Sequence, residues 1–215
     1  MSGDASSGTG TFTMNGGSLT ASVGPAFYVT NTKAVITLKG GVQVSASSGI
    51  LLSAGAGNWG SSGSNGGTVT FTANDETLTG NLITDSVSSI TGTLENGTTL
   101  TGYISSAALS LDSTSIWNVT ANSVLTSLTG TKGISGATIT NIYGNGYTVY
   151  YDASLTANSA LGGLTYSLVN GGQLAPKGSP SAPEFSIWII LPLIVTAATT
   201  ALLIISKFKA FKKEK

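Results

Sequence analysis

The sequence predicts an all-β chain, a parallel β-solenoid of roughly six coils, followed by one C-terminal transmembrane helix. Three observations support this prediction. Short β-type segments recur at a roughly constant period, their apolar positions align between repeats, and a long apolar run precedes a C-terminal lysine cluster. The predicted organisation is a solenoid at 1–171, a Pro/Gly/Ser spacer at 172–184, a transmembrane helix at 185–206 and a basic tail at 207–215.

The recurring segments come in sets of three short strands. The first two sets are TFTM at 11–14, SLTA at 18–21 and AFYV at 26–29, then VITL at 35–38, VQVS at 42–45 and GILL at 49–52. A third set follows a Gly/Ser-rich insertion: TVTF at 68–71, ETLT at 76–79 and NLIT at 81–84. One coil alone cannot bury its apolar side, whereas stacked coils can. An antiparallel sandwich also has many short strands, but it does not explain why triplets repeat in register.

The alignment also predicts which core side chains stack on one another. The predicted columns are Phe12 with Ile36 and Val69, Phe27 with Ile50 and Leu82, and Ile83 with Ile104 and Leu125. A further column, Leu19 with Val42 and Leu78, needs a one-residue slip at each step. Asn15-Gly16 and Asn96-Gly97 are expected at corners, because Gly and Asn tolerate the positive φ angles of tight bends.

The C-terminal apolar run indicates a membrane span. Residues 185–206 carry no charge, and about 22 residues at about 1.5 Å per residue cover about 33 Å, enough to cross the hydrocarbon core. Trp188 stands near the outer end, and the lysines after residue 206 mark the cytoplasmic side. A buried core helix is the alternative, but it rarely ends in a basic cluster. Membrane lipid is thus an expected partner, with residues 1–182 outside the cytoplasm.

Two further segments bear on the organisation. Residues 172–184 contain three prolines among Gly, Ser and Ala, which is typical of a semi-extended spacer. Residues 1–10 lack the charged and apolar regions of a secretory signal peptide. Either a signal has been removed, or the chain is the end of a longer surface protein.

Composition excludes several functions. The chain has neither His nor Cys, which excludes a Ser-His-Asp triad, a Cys nucleophile and the usual zinc sites. The part before Phe185 has eight acidic side chains and four lysines, a net charge of −4, which argues against nucleic acid as a partner. Asp75 and Glu76 form the one adjacent acidic pair and are interpreted as solvated turn residues. The sequence predicts a non-enzymatic protein with no cofactor and no metal.

Two surface patterns are candidate binding features. Tyr143, Tyr147, Tyr150 and Tyr151 offer aromatic faces for stacking sugar rings, or alternatively they pack the last coil. Four Thr-X-Thr pairs are expected to project from their strands: Thr11 and Thr13, Thr68 and Thr70, Thr77 and Thr79, and Thr99 and Thr101. Regular threonine ranks favour ice binding, but Thr is also a common strand residue, and the changing repeat length is expected to break the ranks.

Two tripeptides fit the N-glycosylation pattern. Asn96-Gly97-Thr98 and Asn118-Val119-Thr120 both have Asn followed two residues later by Thr. Asn96 and Asn118 are therefore candidate glycosylation sites.

Several longer motifs resemble a known class of proteins. GTFTMNGGSLTA, GPAFYVTNTKAVITLKG, GNWGSSGSNGGTVTFTA, SIWNVTANSVLTSLTG and NGYTVYYDAS resemble the right-handed parallel β-helix repeats of prokaryotic adhesin-like surface proteins. The resemblance covers roughly residues 9–175 and implies a right-handed solenoid at the cell surface. SAPEF, before the apolar run and basic end, is similar to the PEF-type sorting signals of archaeal surface proteins, with Pro183, Glu184 and Phe185 as the motif. That similarity implies processing by a membrane sortase.

The expected function is therefore that of a membrane-anchored, single-pass surface protein with its N-terminal part outside. In the first hypothesis it is an adhesin whose rod attaches to glycans or to another cell. In the second it is a structural envelope, S-layer or sheath component whose neighbouring rods pack together. Ice binding is a third alternative.

Overall fold

The computed structural model describes residues 8–130 and 133–179. Of these residues, 57% lie in strands and 4% in helix. The strands form one large, mostly parallel sheet of 17 strands and a separate two-stranded sheet. The all-β prediction is therefore confirmed, and the arrangement is consistent with a β-solenoid.

The predicted C-terminal features lie outside the described residues. These are the sorting motif Pro183, Glu184 and Phe185, the transmembrane helix at 185–206 and the basic tail at 207–215. Among the residues that the structure describes, no helix has the length and apolar character needed to cross a membrane.

In the first three coils the strands follow one another in sets of three, one set per coil. The first three coils contain β1 (Thr9–Asn15), β2 (Ser18–Ala21) and β3 (Phe27–Val29), then β4 (Thr32–Lys39), β5 (Gln43–Ala46) and β6 (Ile50–Ala54), then β7 (Gly67–Asn74), β8 (Thr77–Thr79) and β9 (Asn81–Thr84). The later coils contain β10 (Ser89–Glu95), β11 (Thr99–Gly102), β12 (Ile104–Leu111), β13 (Ile116–Val119), β14 (Ser123–Thr129), β15 (Ile134–Ser135), β16 (Thr138–Tyr143) and β17 (Thr148–Tyr151). A 3-10 helix (Thr156–Leu161), β18 (Tyr166–Val169) and β19 (Gln173–Pro176) follow.

Parallel pairing between successive coils stacks the strands into three faces. Face 1 contains β1, β4, β7, β10 and the C-terminal parts of β12 and β14. Face 2 contains the separate pair β2 and β5, then β8, β11, β13, β16 and β18. Face 3 contains β3, β6, β9, the N-terminal parts of β12 and β14, β17 and β19. The rest of each coil provides the crossover that parallel partners require.

Strands β12 and β14 each run through a corner from face 3 to face 1. The pairing between them shifts register around Ala107, and Ser106 has a φ angle of 61°. A bulge of this kind bends a strand without ending it. The corner between these two faces therefore needs no separate turn in the later coils.

The core lies between the faces and consists of alternate strand residues. In β7, Val69, Phe71 and Ala73 are buried, whereas the threonines between them point outward. The strand pairings place Phe71 over Ile36. They also place Leu109 in the same column, two coils after Phe71. Burial of an Ile, Leu or Phe side chain contributes roughly 1.5–3 kcal/mol, which a coil gains only when neighbours cover it.

The predicted step from Phe12 to Ile36 is correct, whereas each of the other predicted columns is shifted already at its first step. Phe12 pairs with Ile36, as predicted, but the next residue is Phe71 rather than Val69. Phe27 aligns with Leu52 rather than Ile50.

The other two columns also differ from prediction. Ile104 stacks on Leu82 rather than Ile83, and Leu125 aligns with Ala107. Leu19 aligns with Val44, not with the buried Val42. Each error falls at an insertion, a bulge or a corner, where the number of residues per coil changes.

Both predicted Asn-Gly corners are turns. Asn96 and Gly97 have φ angles of 56° and 80°. At the first corner the positive φ angles fall on Gly16 and Gly17, not on Asn15, which ends β1.

The predicted start of the spacer at residue 172 is too early. Strand β19 occupies Gln173–Pro176 and pairs in parallel with β17. Leu174 and Ala175 are fully buried, so this segment packs in the core despite its Pro and Gly neighbours. The solenoid sheet therefore continues to at least Pro176.

The 3-10 helix lies beside β14, where face 1 ends among the described coils. Its buried Asn158 accepts a hydrogen bond from the Leu128 N–H at 3.0 Å and donates to the Thr126 and Asp152 carbonyls. These contacts satisfy edge groups of β14 that have no further strand as a partner. Two antiparallel pairings, β15 with β16 and β18 with β19, occur in the same region.

Candidate functional site

The four predicted sugar-stacking tyrosines do not form one surface. Tyr143 ends β16 on face 2, whereas Tyr150 lies in β17 on face 3, and both are half-buried. Tyr147 precedes β17 in a turn and is 39% exposed.

Tyr151 is a core residue and offers no face to a ligand. Its side chain is fully buried and its hydroxyl donates to the Leu164 carbonyl at 2.8 Å. Burial raises the pKa of its phenol, and the neighbouring Tyr166 adds to the shift. For this residue the alternative interpretation, packing of the last coil, is correct.

The two candidate glycosylation sites differ in accessibility. Asn96 is exposed on a turn, whereas Asn118 is half-buried in β13 and its Nδ2 lies 3.4 Å from Thr101 Oγ1. Thr98 is fully buried, and its hydroxyl donates to the Ala73 and Glu95 carbonyls. Asn96 is therefore the more exposed of the two candidate acceptors. Thr98, the third residue of its tripeptide, is accessible to a glycosylating enzyme only before the chain folds.

Residues 55–66, here called the inserted loop, connect β6 to β7 and are fixed to the coil before them. Asn65 is buried, and its Nδ2 donates to the Gly57 carbonyl at 2.7 Å. The backbone carbonyl of Asn65 accepts the Asn31 N–H at 2.9 Å and the Thr30 hydroxyl at 3.3 Å. The loop is thus held at both its ends by main-chain and side-chain bonds.

Glycines let the inserted loop lie flat on the adjacent turn. A Cβ at Gly57 would lie 2.6 Å from the Thr30 hydroxyl oxygen, and one at Gly60 would overlap the Asn31 side chain. The loop between these glycines therefore runs alongside Thr30 and Asn31, close to the end of β3.

Three exposed apolar side chains belong to the inserted loop or to the segments that contact its two ends. Trp59, in the inserted loop, is 59% exposed, and Tyr28, in β3, is 42% exposed. The Tyr28 hydroxyl donates to the Ala56 carbonyl at 3.3 Å. Val87 is also exposed, and its carbonyl lies against Gly66 at the end of the loop. We call Tyr28, Trp59 and Val87 the aromatic corner.

Asp85 links the inserted loop to the turn after β9 that carries Val87. Its carboxylate accepts the Ala56 N–H at 2.6 Å and the Val87 N–H at 3.1 Å. The bond from Ala56 is the main reason that the pKa of Asp85 lies below its usual value. A fixed anion therefore lies beside the exposed apolar groups.

The sequence contained a signal for this corner that was not used. Gly/Ser-rich stretches usually act as flexible linkers and rarely include large aromatic side chains. Trp59 within GNWGSSGSNGG was such an exception. The contacts of Tyr28 and Val87 with the two ends of this loop could not be read from the sequence, because they depend on how the loop folds back.

Asp112 and Asp152 occupy turns in a similar way to Asp85. Asp112 accepts N–H bonds from Asn96 at 2.7 Å and from Thr114 and Ser115 at 2.9 and 2.8 Å. Partial burial opposes its ionisation, but these bonds outweigh burial and hold the pKa of Asp112 well below its usual range.

The third turn, at Asp152, is stabilised mainly by hydrogen bonds between its own residues. Ser154 donates through its hydroxyl and N–H, which is the main cause of the lowered pKa of Asp152, and Lys177 lies 3.7 Å away. All three carboxylates are therefore structural anions with occupied oxygens.

Glu76 corrects the interpretation of the acidic pair. Asp75 is exposed, but Glu76 is only 2% exposed and its Oε1 accepts the Gly41 N–H at 3.1 Å. Its Oε2 has no hydrogen-bond partner among the described residues. The two residues lie between β7 and β8, and Glu76, unlike the exposed Asp75, is not a solvated turn residue. The described residues contain no cluster of three or more metal-binding side chains.

The Thr-X-Thr pairs occupy two faces. Thr77 and Thr79 align with Thr99 and Thr101 on face 2. The other pairs belong to face 1, where the outward positions of six strands form two ranks. The inner rank is Thr13, Thr37, Thr72, Thr93, Ser110 and Thr129, and the outer rank is Thr11, Val35, Thr70, Thr91, Ala108 and Ser127. We call these two ranks the threonine face.

The changing coil length does not break these ranks, contrary to expectation. The insertion between Thr37 and Thr72 lies entirely at a corner, and the two threonines remain paired. Six successive hydroxyl residues therefore form the inner rank.

No family model, no curated protein and no solved structure matches this chain. Its function is therefore inferred from the geometry of the chain itself.

Proposed function

We propose that this protein is a membrane-anchored cell-surface adhesin-like protein. In this proposal a right-handed β-helix of roughly six coils is presented outside the cell, because parallel crossovers are almost always right-handed. The helix at 185–206 anchors it and the tail at 207–215 lies in the cytoplasm. The attachment is to glycans, through the aromatic corner.

The single observation that carries the glycan assignment is the exposure of Trp59 on a fixed loop beside Tyr28. Tyr and Trp combine an apolar ring with a polar edge, which suits the mixed apolar and hydroxyl surface of a sugar. Because Asn65 and the close-packed glycines already fix the loop, little conformational entropy remains to be lost on binding.

The surroundings of the corner also fit a neutral, hydroxyl-rich ligand. The Asp85 carboxylate is engaged by two backbone N–H groups, so it does not form a free anionic site. The Ser and Asn side chains and the backbone groups of the inserted loop offer hydrogen-bond donors and acceptors. A hydrophobic protein partner would instead call for a larger apolar patch.

Glycan-array binding by the full-length protein tests this proposal. We expect binding to one class of glycans that falls by about tenfold or more in Trp59→Ala, as for a central aromatic contact residue. Tyr28→Ala should weaken the same interaction.

Leu164→Ala is the matched control, because Leu164 is also 59% exposed but lies elsewhere in the chain. Tyr147→Ala separates this site from the tyrosines predicted from the sequence. If Tyr147→Ala abolishes binding and Trp59→Ala does not, the aromatic corner is the wrong site. If no glycan binds, the adhesin proposal fails and the structural envelope role becomes the better hypothesis.

A further inference from the structure

The threonine face is a two-dimensional lattice of side chains. Parallel strands lie about 4.8 Å apart, and alternate residues along a strand lie about 6.6 Å apart. The inner rank continues over six strands and the outer rank runs beside it with the same register. Hydroxyl and methyl groups therefore repeat in two directions at nearly constant intervals.

The hydroxyls of this lattice are available to solvent. Within residues 8–130 and 133–179, the side chains of Thr13, Thr37, Thr72 and Thr93 form no hydrogen bond with another residue. By contrast, Thr98, buried in a corner, has its hydroxyl fully used by backbone groups. The rank threonines are thus not required to satisfy the fold.

The two ranks carry no charge and no aromatic ring. Lys33 and Lys39 flank them on β4, and Glu95 stands at the margin, where it accepts a bond from Asn74. A nucleic acid would need a basic surface, and a protein partner or a glycan would be expected to use aromatic anchors. An uncharged lattice of hydroxyls and methyls instead complements an uncharged crystalline lattice of water.

We propose that the threonine face binds ice. Water oxygens on the surface of ice repeat at spacings similar to those between strands and between alternate residues of a strand. The ranked hydroxyls hold water in those positions, and the methyl groups of Thr, Val35 and Ala108 lie between them. The inference is independent of the aromatic corner, whose residues lie in β3, the inserted loop and the turn after β9 and not in the strands of face 1.

Incorporation of the full-length protein into slowly grown ice tests the proposal, with a mild detergent in every sample and serum albumin as the excluded reference. We expect the wild type to concentrate in the ice fraction. Thr72→Tyr, in the centre of the inner rank, should lower incorporation by about tenfold, a change of about 1.4 kcal/mol in binding free energy.

Thr79→Tyr is the matched control, because Thr79 is an exposed strand threonine on face 2. It should incorporate like the wild type. Circular dichroism checks that each variant is folded, and Thr93→Tyr on the adjacent strand replaces Thr72→Tyr if that variant melts early.

Three results would overturn the proposal. The first is a folded wild-type protein that stays in the liquid fraction, and the second is an equal loss of incorporation in Thr79→Tyr. The third is self-association above freezing, measured by sedimentation, that Thr72→Tyr abolishes, since the face would then be an interface between copies.

Discussion

Single aspartates at the corners link one coil to the next. Asp85 accepts an N–H from Ala56, and Asp112 accepts one from Asn96, in each case from the preceding coil. Each also bonds to its own turn, so one carboxylate fixes both the bend and the contact between coils. Charge-assisted bonds of this kind are stronger than neutral ones.

Replacing Asp112 by Ala should destabilise the fold by about 1–3 kcal/mol, because it leaves several N–H groups without an acceptor. Urea unfolding of the two proteins measures the difference. Ser113→Ala, at an exposed position of the same turn, should change stability little. Equal unfolding midpoints for wild type and Asp112→Ala would contradict this role.

Acid should weaken the protein through the same carboxylates. The pKa values of Asp85, Asp112 and Asp152 lie below their usual value of 3.8 in the folded state. The folded state therefore binds fewer protons than the unfolded state as the pH falls. The stabilisation that these three carboxylates contribute to folding is fully present above their pKa values in the unfolded state. It is lost as the pH falls through their lower pKa values in the folded state.

We accordingly expect the urea midpoint to be constant near neutral pH and to fall between about pH 4 and about pH 2. The decline should be smaller in Asp112→Ala, which lacks one of the groups. An unchanged wild-type midpoint at about pH 3 would show that these carboxylates do not couple protonation to folding.

At the scale of elements, the sequence identified the strands better than their register. β1 and β4 were aligned correctly because no insertion or bulge separates them and both alternate regularly. The alignment of β7 was displaced because the inserted loop has a length that no strand pattern reveals. At β12 the bulge around Ala107 shifts the alternation within one strand, which sequence alternation alone does not indicate.

The candidate site was less predictable than the fold. The predicted tyrosines Tyr147 and Tyr150 are 39% exposed and half-buried, but the aromatic corner is assembled from β3, the inserted loop and the turn after β9. Contacts between segments so far apart depend on the strand register, which the sequence pattern predicts only in part. The threonine ranks were expected to be broken for the same reason, whereas they are continuous on face 1.

The register itself can be tested in the core. Leu52 aligns with Phe27 and Leu82 and is fully buried, whereas Ile50 is only half-buried. Leu52→Ala should therefore cost about 2–5 kcal/mol, and Ile50→Ala clearly less. Chemical denaturation gives both values. A larger cost for Ile50→Ala would support the column predicted from the sequence instead.

At the scale of the whole molecule, the proposed cellular role depends on the apolar run at 185–206. Deleting 183–215 should release the remaining chain from membranes when an export signal is supplied. Thr196→Lys should weaken membrane retention, because a charge in the middle of a spanning helix costs roughly 3 kcal/mol. Fractionation of cells measures both changes, with Thr196→Leu as the control.

Protease added to intact cells provides the test of orientation. It should digest the strand-rich part and spare the lysine tail. A digested tail with a protected N-terminal part would reverse the proposed topology and remove the surface role.

The corner position of the inserted loop has a consequence for how such a protein evolves. The chain advances by 35 residues between paired threonines of β4 and β7, but by only 17 between Thr93 and Ser110. Both steps preserve the pairing of face 1, so insertions and deletions at corners leave the stacked strands unaltered. Loops at these corners can therefore diversify or accept grafted sequences while selection on the strands continues separately.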